Sequence, residues 1–239
     1  MTEITTAPNP DEQGLMRQVL DGAYTQVING FGIFPPASEV AKEYLANNGG
    51  DAKRAADDLI GWQMTKAATS GFLTNLGGIA TLPVAIPANI SSVLYVQIRM
   101  IAAIAIMGGY DVTSDKVRTL VYASLLGSAA VDVLKDAGIK LGEKLTQAAI
   151  VKFTEGVAKK MATSVAARLA AKLGLSSAGN LAKLVPIAGG VVGAAIDASA
   201  TKAIGVVAVK LFLPTEETKA ANAATPLLSA SLSPGTSGR

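Results

Sequence analysis

The stretch from Ala67 to Ile98, AATSGFLTNLGGIATLPVAIPANISSVLYVQI, carries no charged side chain. Because apolar surface is driven out of water, a folded chain must bury these residues in protein or in lipid. Pro83 and Pro87 interrupt the stretch, and a proline inside a helix removes a backbone hydrogen bond. We therefore predict a helix that ends at a turn around Gly77–Gly78, then a short apolar segment, and then a new helix that begins near Pro87.

The composition restricts the classes of function. The chain of 239 residues suits one medium domain with extensions, and it contains no cysteine and no histidine. This excludes disulfides, Cys/His metal sites and any catalytic relay that uses histidine or cysteine. A Ser-Lys pair and a carboxylate pair are left open. We expect no metal and no cofactor.

The basic residues are concentrated in the second half of the chain. Residues 1–112 carry 6 basic and 10 acidic side chains, whereas residues 113–212 carry 13 basic and 6 acidic side chains. Lys152, Lys159 and Lys160 decorate a predicted helix rich in alanine, which favours contact with an anionic membrane surface. The alternative is a solvated lysine-rich surface. Nucleic acid is not an expected partner, because no aromatic platform or known motif accompanies the basic residues.

The spacing of apolar residues predicts an all-α protein, a multi-helix bundle whose apolar helices are broken by glycine and proline. No segment shows the alternating pattern of a strand. Ser38, Asp51 and either Thr113 or Ser114 stand where helices are expected to start, and their side chains suit an N-cap. The predicted helices cover about residues 11–29, 38–45, 51–76, 87–107, 113–136 and 140–173, with a break in the middle of the last one left open. A second apolar region covers residues 181–212.

The same features divide the chain into four parts. Residues 1–10 and 213–239 have the polar, low-complexity composition of disordered segments. Residues 11–49 form a predicted N-terminal helical extension, and residues 50–212 form the main helical domain. The N-terminus lacks the apolar core of a secretory signal, so a cytoplasmic location is expected.

Charged residues inside the apolar regions argue against a simple membrane span. A spanning helix needs about 20 apolar residues in a row, and the best window, Ile90–Met107, has Arg99 near its middle. The last apolar region contains Asp197 and Lys202. Each such charge costs about 2.5–3.5 kcal/mol at the centre of a bilayer. We favour a soluble or peripheral bundle, with a re-entrant hairpin through the two prolines as the alternative.

Three motifs resemble the EcsC protein family, in the same order along the chain. They are LGGIATLPVAIPANISSVLYVQIRMIAAIAIMGGYD (residues 76–111), AAVDVLKDAGIKLGEKLTQAAI (residues 129–150) and KLVPIAGGVVGAAIDASATKAIGVVAVKLF (residues 183–212). The resemblance covers about residues 50–212. It implies a helical bacterial domain associated with membranes or transport, and it brings no catalytic residues with it.

Four polar residues within the apolar regions form the candidate ligand site. A buried charge is costly unless it is paired, so we expect Arg99 and Asp197 to face a common polar spot, with Tyr95 and Thr201 beside them. The alternative is that each charge reaches the surface along its own side chain. The pairing fails as a hypothesis if Arg99→Asp is not partly rescued by Asp197→Arg in folding yield or melting temperature.

The combined pattern favours a membrane- or lipid-associated binding or accessory protein over an enzyme. The expected partners are a membrane lipid or an apolar ligand, and also a transporter or another membrane protein. Exposed apolar helices would favour a homo-oligomer, and a cytoplasmic protein of this kind would lie peripherally at the inner membrane. Two alternatives are a lipid-acting hydrolase that uses Tyr95, Arg99 and Asp197, and a secreted effector that inserts into a target membrane.

Overall fold

The structure is a computed structural model, and it describes residues 10–68, 88–139, 141, 150, 153–172 and 190–213. Within these ranges it describes only the backbone of residues 11–12, 67–68, 88–92, 171–172 and 190–197. The predictions for residues 1–9, the turn at Gly77–Gly78, Lys152 and the tail from residue 214 fall outside the described residues.

The described residues form an α-helical bundle, which confirms the predicted all-α class. The helices are α1 (Pro10–Asn29), α2 (Ala37–Asn47), α3 (Ala52–Ala68), α4 (Ala88–Met107), α5 (Asp115–Ser124), α6 (Ala130–Asp136), α7 (Glu155–Lys172) and α8 (Gly190–Phe212). A 3-10 helix, Gly127–Ala129, joins α5 to α6. None of the described helices is long and apolar enough to serve as a membrane span.

Helix α4 is the centre of the bundle and contacts α1, α2, α3, α5 and α8. Every residue from Met100 to Ala105 is buried, as expected for a helix that is apolar on all sides. In the uncharged stretch, the side chains of Leu94, Tyr95 and Ile98 are also buried in protein. Protein, the first of the two environments expected for the uncharged stretch, therefore buries this part of it.

Helix α8 completes the core against α3 and α4. A Cβ atom at Gly205 would lie 2.6 Å from Ile60, and one at Gly108 would collide with the carbonyl oxygen of Phe212. Glycine at these two positions lets the helix backbones approach closely. The described parts of the two apolar regions therefore pack together.

Helices α1 and α2 share this core. Both contact α4, and α1 also contacts α7. Met16, Val19, Ala23 and Val27 of α1 are completely buried. The segment before residue 50 is thus packed into the same bundle as the helices that follow it.

The predicted N-caps and helix limits have mixed outcomes. Asp51 caps α3, because its Oδ1 accepts hydrogen bonds from the backbone N–H groups of Lys53 and Arg54 at 2.9 and 3.0 Å. Ser38 is not a cap: Pro36 occupies the N-cap position of α2. Ser114 occupies the N-cap position of α5 but makes no side-chain capping bond.

Two long predicted helices are interrupted. The predicted helix 113–136 breaks after Ser124, because Gly127 adopts a φ of +60°, and the 3-10 helix that begins there packs against α8. A left-handed residue cannot continue an α-helix. In the predicted helix 140–173, Phe153 and Thr154 are not helical, and α7 begins at Glu155.

Candidate functional site

Arg99 lies half-buried on α4, beside two aromatic rings. Its Cζ atom lies 5.5 Å from the centroid of the Phe34 ring and 5.8 Å from the centroid of the Tyr95 ring. The two rings pack edge to face, with centroids 5.7 Å apart. Cation–π attraction to both rings holds the guanidinium group in place.

Phe34 is positioned by a tight turn, residues 31–34, which we call the Ile33 turn. Phe31 and Phe34 exchange two backbone hydrogen bonds of 3.0 and 2.9 Å, and Gly32 has a φ of +57°. A glycine tolerates this left-handed conformation at little cost. The turn directs Phe34 towards Arg99 and leaves Ile33 88% exposed at its outer corner.

The last turns of α3 supply the next group of side chains. Asp58, Trp62 and Lys66 are spaced by four and therefore lie on one face of α3. The Nζ of Lys66 lies 4.9 Å from the centroid of the Trp62 ring, which is 51% exposed. Burial and the positive charge of Arg99 lower the pKa of Lys66, so these two cations are close enough to repel each other.

We group these side chains as one surface, which we call the Arg99 face. It has two parts: Phe34 of the Ile33 turn contacts Tyr95 and Arg99, and Lys66 contacts Trp62 on α3. The charge of Arg99 acts on Lys66 and links the two parts. Acidic groups border this face. Burial is the largest cause of the raised pKa of Tyr44, Glu43 and Asp58 raise that pKa further, and Arg99 lowers it. The face consists of Ile33, Phe34, Trp62, Lys66, Tyr95 and Arg99.

Two buried polar atoms of this face, Tyr95 Oη and Arg99 Nε, have no hydrogen-bond partner in the part of the chain that the structure describes, and Gln63 Oε1 on α3 is in the same state. Burial raises the pKa of Tyr95, and Arg99 opposes that shift. Arg99 is thus near the hydroxyl group, yet no bond of good geometry joins them. Such atoms cost free energy and call for an explanation.

The structure brings together two of the four residues predicted for the ligand site. Tyr95 and Arg99 are neighbours, and Thr201 is buried on α8. Asp197 belongs to α8, but its side chain lies outside the described residues. The Arg99–Asp197 pairing therefore stays a prediction, tested by the charge reversal given above.

The predicted basic surface lies on α7. Lys159 and Lys160 are exposed and border a shallow depression of about 460 Å³. Lys159 also lines a cavity of about 470 Å³ between α1, α5 and α7, where acidic side chains (Asp21, Asp115 and Glu155) accompany the basic ones. The described surface of α7 therefore has mixed charge at Lys159.

A second tyrosine cluster adjoins that cavity. The Tyr122 hydroxyl donates a hydrogen bond of 2.8 Å to Asp21 Oδ1, and the Tyr24 hydroxyl donates one of 2.7 Å to the Val112 carbonyl oxygen. The two rings pack edge to face with centroids 5.5 Å apart. Burial is the largest cause of the raised pKa of both tyrosines, and the neighbouring Asp21 raises that of Tyr122 further.

The sequence interpretation missed Phe34, Trp62, Gln63 and Lys66. Two features of the sequence could have indicated some of these residues. Trp62 is the single tryptophan of the chain, and an Ile-Phe pair stands between glycine and tandem proline in GFGIFPP. In the described part of the chain, no group of acidic side chains is arranged to hold a metal ion.

A family model described as the EcsC protein family matches residues 50–213. The chain belongs to the EcsC family. Comparisons with curated proteins and with solved structures gave no match. The EcsC region supplies Trp62, Lys66, Tyr95 and Arg99, whereas the Ile33 turn precedes it, so the Arg99 face combines residues from inside and outside the family match.

Proposed function

We propose that this EcsC family protein is a non-catalytic binding protein that docks peripherally on an anionic membrane through the Arg99 face. One observation carries the proposal: the exposed Ile33 and Trp62 are each accompanied by a cation, since Arg99 lies over the ring of Phe34, next to Ile33 in the chain, and Lys66 lies over the ring of Trp62. Exposed apolar and aromatic side chains beside cations suit the boundary between headgroups and acyl chains.

The expected binding is reversible and depends on lipid charge. Burying an apolar side chain such as that of Ile33 contributes about 1.5–3 kcal/mol. Each lysine or arginine near an anionic surface contributes about 1 kcal/mol. Trp62 adds an amphipathic ring of the type enriched at membrane interfaces. Neither the apolar contribution nor the electrostatic contribution gives stable anchoring alone.

Two hydroxyl groups in the core support a non-catalytic role. Thr119 Oγ1 and Ser124 Oγ donate hydrogen bonds of 2.9 and 3.0 Å to backbone carbonyl oxygens one turn earlier. A nucleophilic hydroxyl needs a neighbouring base as its hydrogen-bond partner. These two hydroxyl groups are instead engaged by the helix backbone.

The test is flotation of the full chain with anionic and with neutral vesicles, read together with the emission of Trp62. We expect flotation with anionic vesicles and weaker flotation with neutral ones. Because Trp62 is the only tryptophan, its emission reports directly on this surface, and transfer to a less polar environment should shift it to shorter wavelength. Absence of flotation with both kinds of vesicle would remove the proposal.

Matched variants identify the docking surface. Ile33→Asp should abolish the emission shift and most of the flotation, whereas Val131→Asp, at another exposed apolar position on α6, should leave both unchanged. Loss of binding in Lys159→Gln/Lys160→Gln but not in Ile33→Asp would place the contact on α7 instead. Release of a trapped dye from the vesicles would support the inserting effector over the peripheral binder.

A further inference from the structure

Among the described residues, no partner uses the hydrogen-bonding capacity of two buried polar atoms at Arg99 and Tyr95. Arg99 Nε and Tyr95 Oη lack partners among the described residues, although Tyr95 is completely buried. The rings of Phe34 and Tyr95 restrict where the guanidinium group can move. A restrained guanidinium group is prepared for directed bonds to an anion, because little side-chain entropy remains to be lost.

We propose that the Arg99 face binds a phosphomonoester headgroup of a membrane lipid, held jointly by Arg99 and Lys66. The inference rests on the proposed membrane docking and adds the chemical class of the lipid. Arg99 supplies a planar fork of N–H donors, and Lys66 supplies a point charge on the neighbouring helix. The anion relieves the repulsion between the two cations.

The number of acceptors favours a phosphomonoester over other anionic headgroups. A phosphomonoester carries a charge of about −1.5 to −2 at neutral pH and offers three terminal oxygens. It can therefore accept bonds from the arginine fork and from the ammonium group at once. A carboxylate or a phosphodiester offers two free oxygens and one charge, which the arginine fork alone would use.

The acidic residues at the border make directed bonds more important than charge alone. Glu43, Asp58 and Arg99 all act electrostatically on Tyr44. Because acidic and basic groups are both present, a diffuse attraction to any anionic surface is partly cancelled there. Headgroup geometry should therefore contribute to binding beyond the charge of the vesicle.

The experiment compares vesicles that contain phosphatidic acid with vesicles that contain phosphatidylglycerol, whose headgroup is a single phosphodiester, adjusted to the same surface charge. Binding of the full chain is followed by flotation and by Trp62 emission. One additional hydrogen bond corresponds to about fivefold in affinity, so we expect at least about fivefold tighter binding to phosphatidic acid.

Two variants separate geometry from charge. Arg99→Lys keeps the charge but removes the fork, so the preference for phosphatidic acid should disappear while charge-dependent flotation remains. Lys66→Gln should reduce the preference as well, and it serves as the second variant if Arg99→Lys does not fold by circular dichroism. Lys135→Gln, which removes an exposed charge from α6, is the matched control and should retain the full preference.

The outcomes distinguish the two proposals. Equal binding to both lipids at matched surface charge overturns the phosphomonoester site but leaves membrane docking intact. Failure to bind any vesicle removes the docking itself. If soluble glycerol phosphate changes Trp62 emission as effectively as phosphatidic acid in vesicles, the site belongs to a soluble phosphate compound, and the lipid headgroup is the wrong source.

Discussion

Two buried tyrosine clusters in this bundle have similar rings and opposite hydrogen bonding. Tyr24 with Tyr122, and Tyr95 with Phe34, both form edge-to-face aromatic pairs at 5.5 and 5.7 Å. In the first cluster both hydroxyl groups donate to a partner within the protein. In the second, the Tyr95 hydroxyl has no partner among the described residues. The first cluster therefore stabilises the fold, whereas the second retains a buried polar group that no described residue satisfies.

The satisfied cluster also connects α1 to the EcsC region. Tyr24 and Asp21 belong to α1, which precedes the family match, and their partners Val112 and Tyr122 lie within it. Buried hydrogen bonds between segments so far apart in sequence hold α1 in one position on the bundle. The comparison predicts that removing a hydroxyl group changes the free energy of unfolding in opposite directions in the two clusters.

The largest effect is expected for Tyr24→Phe. The variant leaves the buried carbonyl group of Val112 without its partner, which costs about 1–3 kcal/mol. We therefore expect the free energy of unfolding, measured by urea denaturation, to fall by that amount. Tyr44→Phe, at a half-buried tyrosine, is the control and should change it by less than about 0.5 kcal/mol. Equal effects in the two variants would remove the structural role assigned to the first cluster.

A smaller effect of opposite sign is expected for Tyr95→Phe. The ring contacts with Phe34 are retained, and a buried hydroxyl group without a partner is removed. Since an unsatisfied buried polar group destabilises the folded state, the free energy of unfolding should rise by about 0.5–1 kcal/mol. A fall of more than about 1 kcal/mol would mean that Tyr95 has a partner inside the protein, and the contrast between the clusters would be lost.

The helices were accessible to sequence analysis because their signals are local. The apolar spacing predicted α1, α2 and α4, and Asp51 was placed correctly as the cap of α3. The break at Gly127 was missed, because it depends on the approach of α8 to that position. A glycine inside a helical pattern does not by itself reveal such a contact.

The candidate site was only partly predictable for the same reason. Arg99 and Tyr95 stood out as polar residues one turn apart in an apolar helix. Phe34 and Lys66 come from segments distant in sequence, and no periodicity connects them with Arg99. The exposure of Ile33 depends on the backbone bonds of its turn, which the sequence indicated only as a break between helices.

The smallest expected effect is a difference in the response to alkaline pH. Burial raises the pKa of Tyr122 above that of an unfolded tyrosine, which is about 10. The unfolded chain then loses this proton first as the pH rises, so the contribution to stability is complete well below about pH 10 and declines as the pH approaches and exceeds that value. At about pH 10 one such tyrosine lowers the free energy of unfolding by about 0.4 kcal/mol relative to neutral pH.

Tyr122→Phe should therefore reduce the loss of stability between about pH 8 and about pH 10 by about that amount. Tyr95→Phe should reduce it by no more than that amount, because Arg99 partly offsets the effect of burial on the pKa of Tyr95. Urea denaturation of the wild type and both variants at the two pH values measures these losses. A larger reduction in Tyr95→Phe than in Tyr122→Phe would contradict the offset by Arg99, and with it the electrostatic distinction between the clusters would fail.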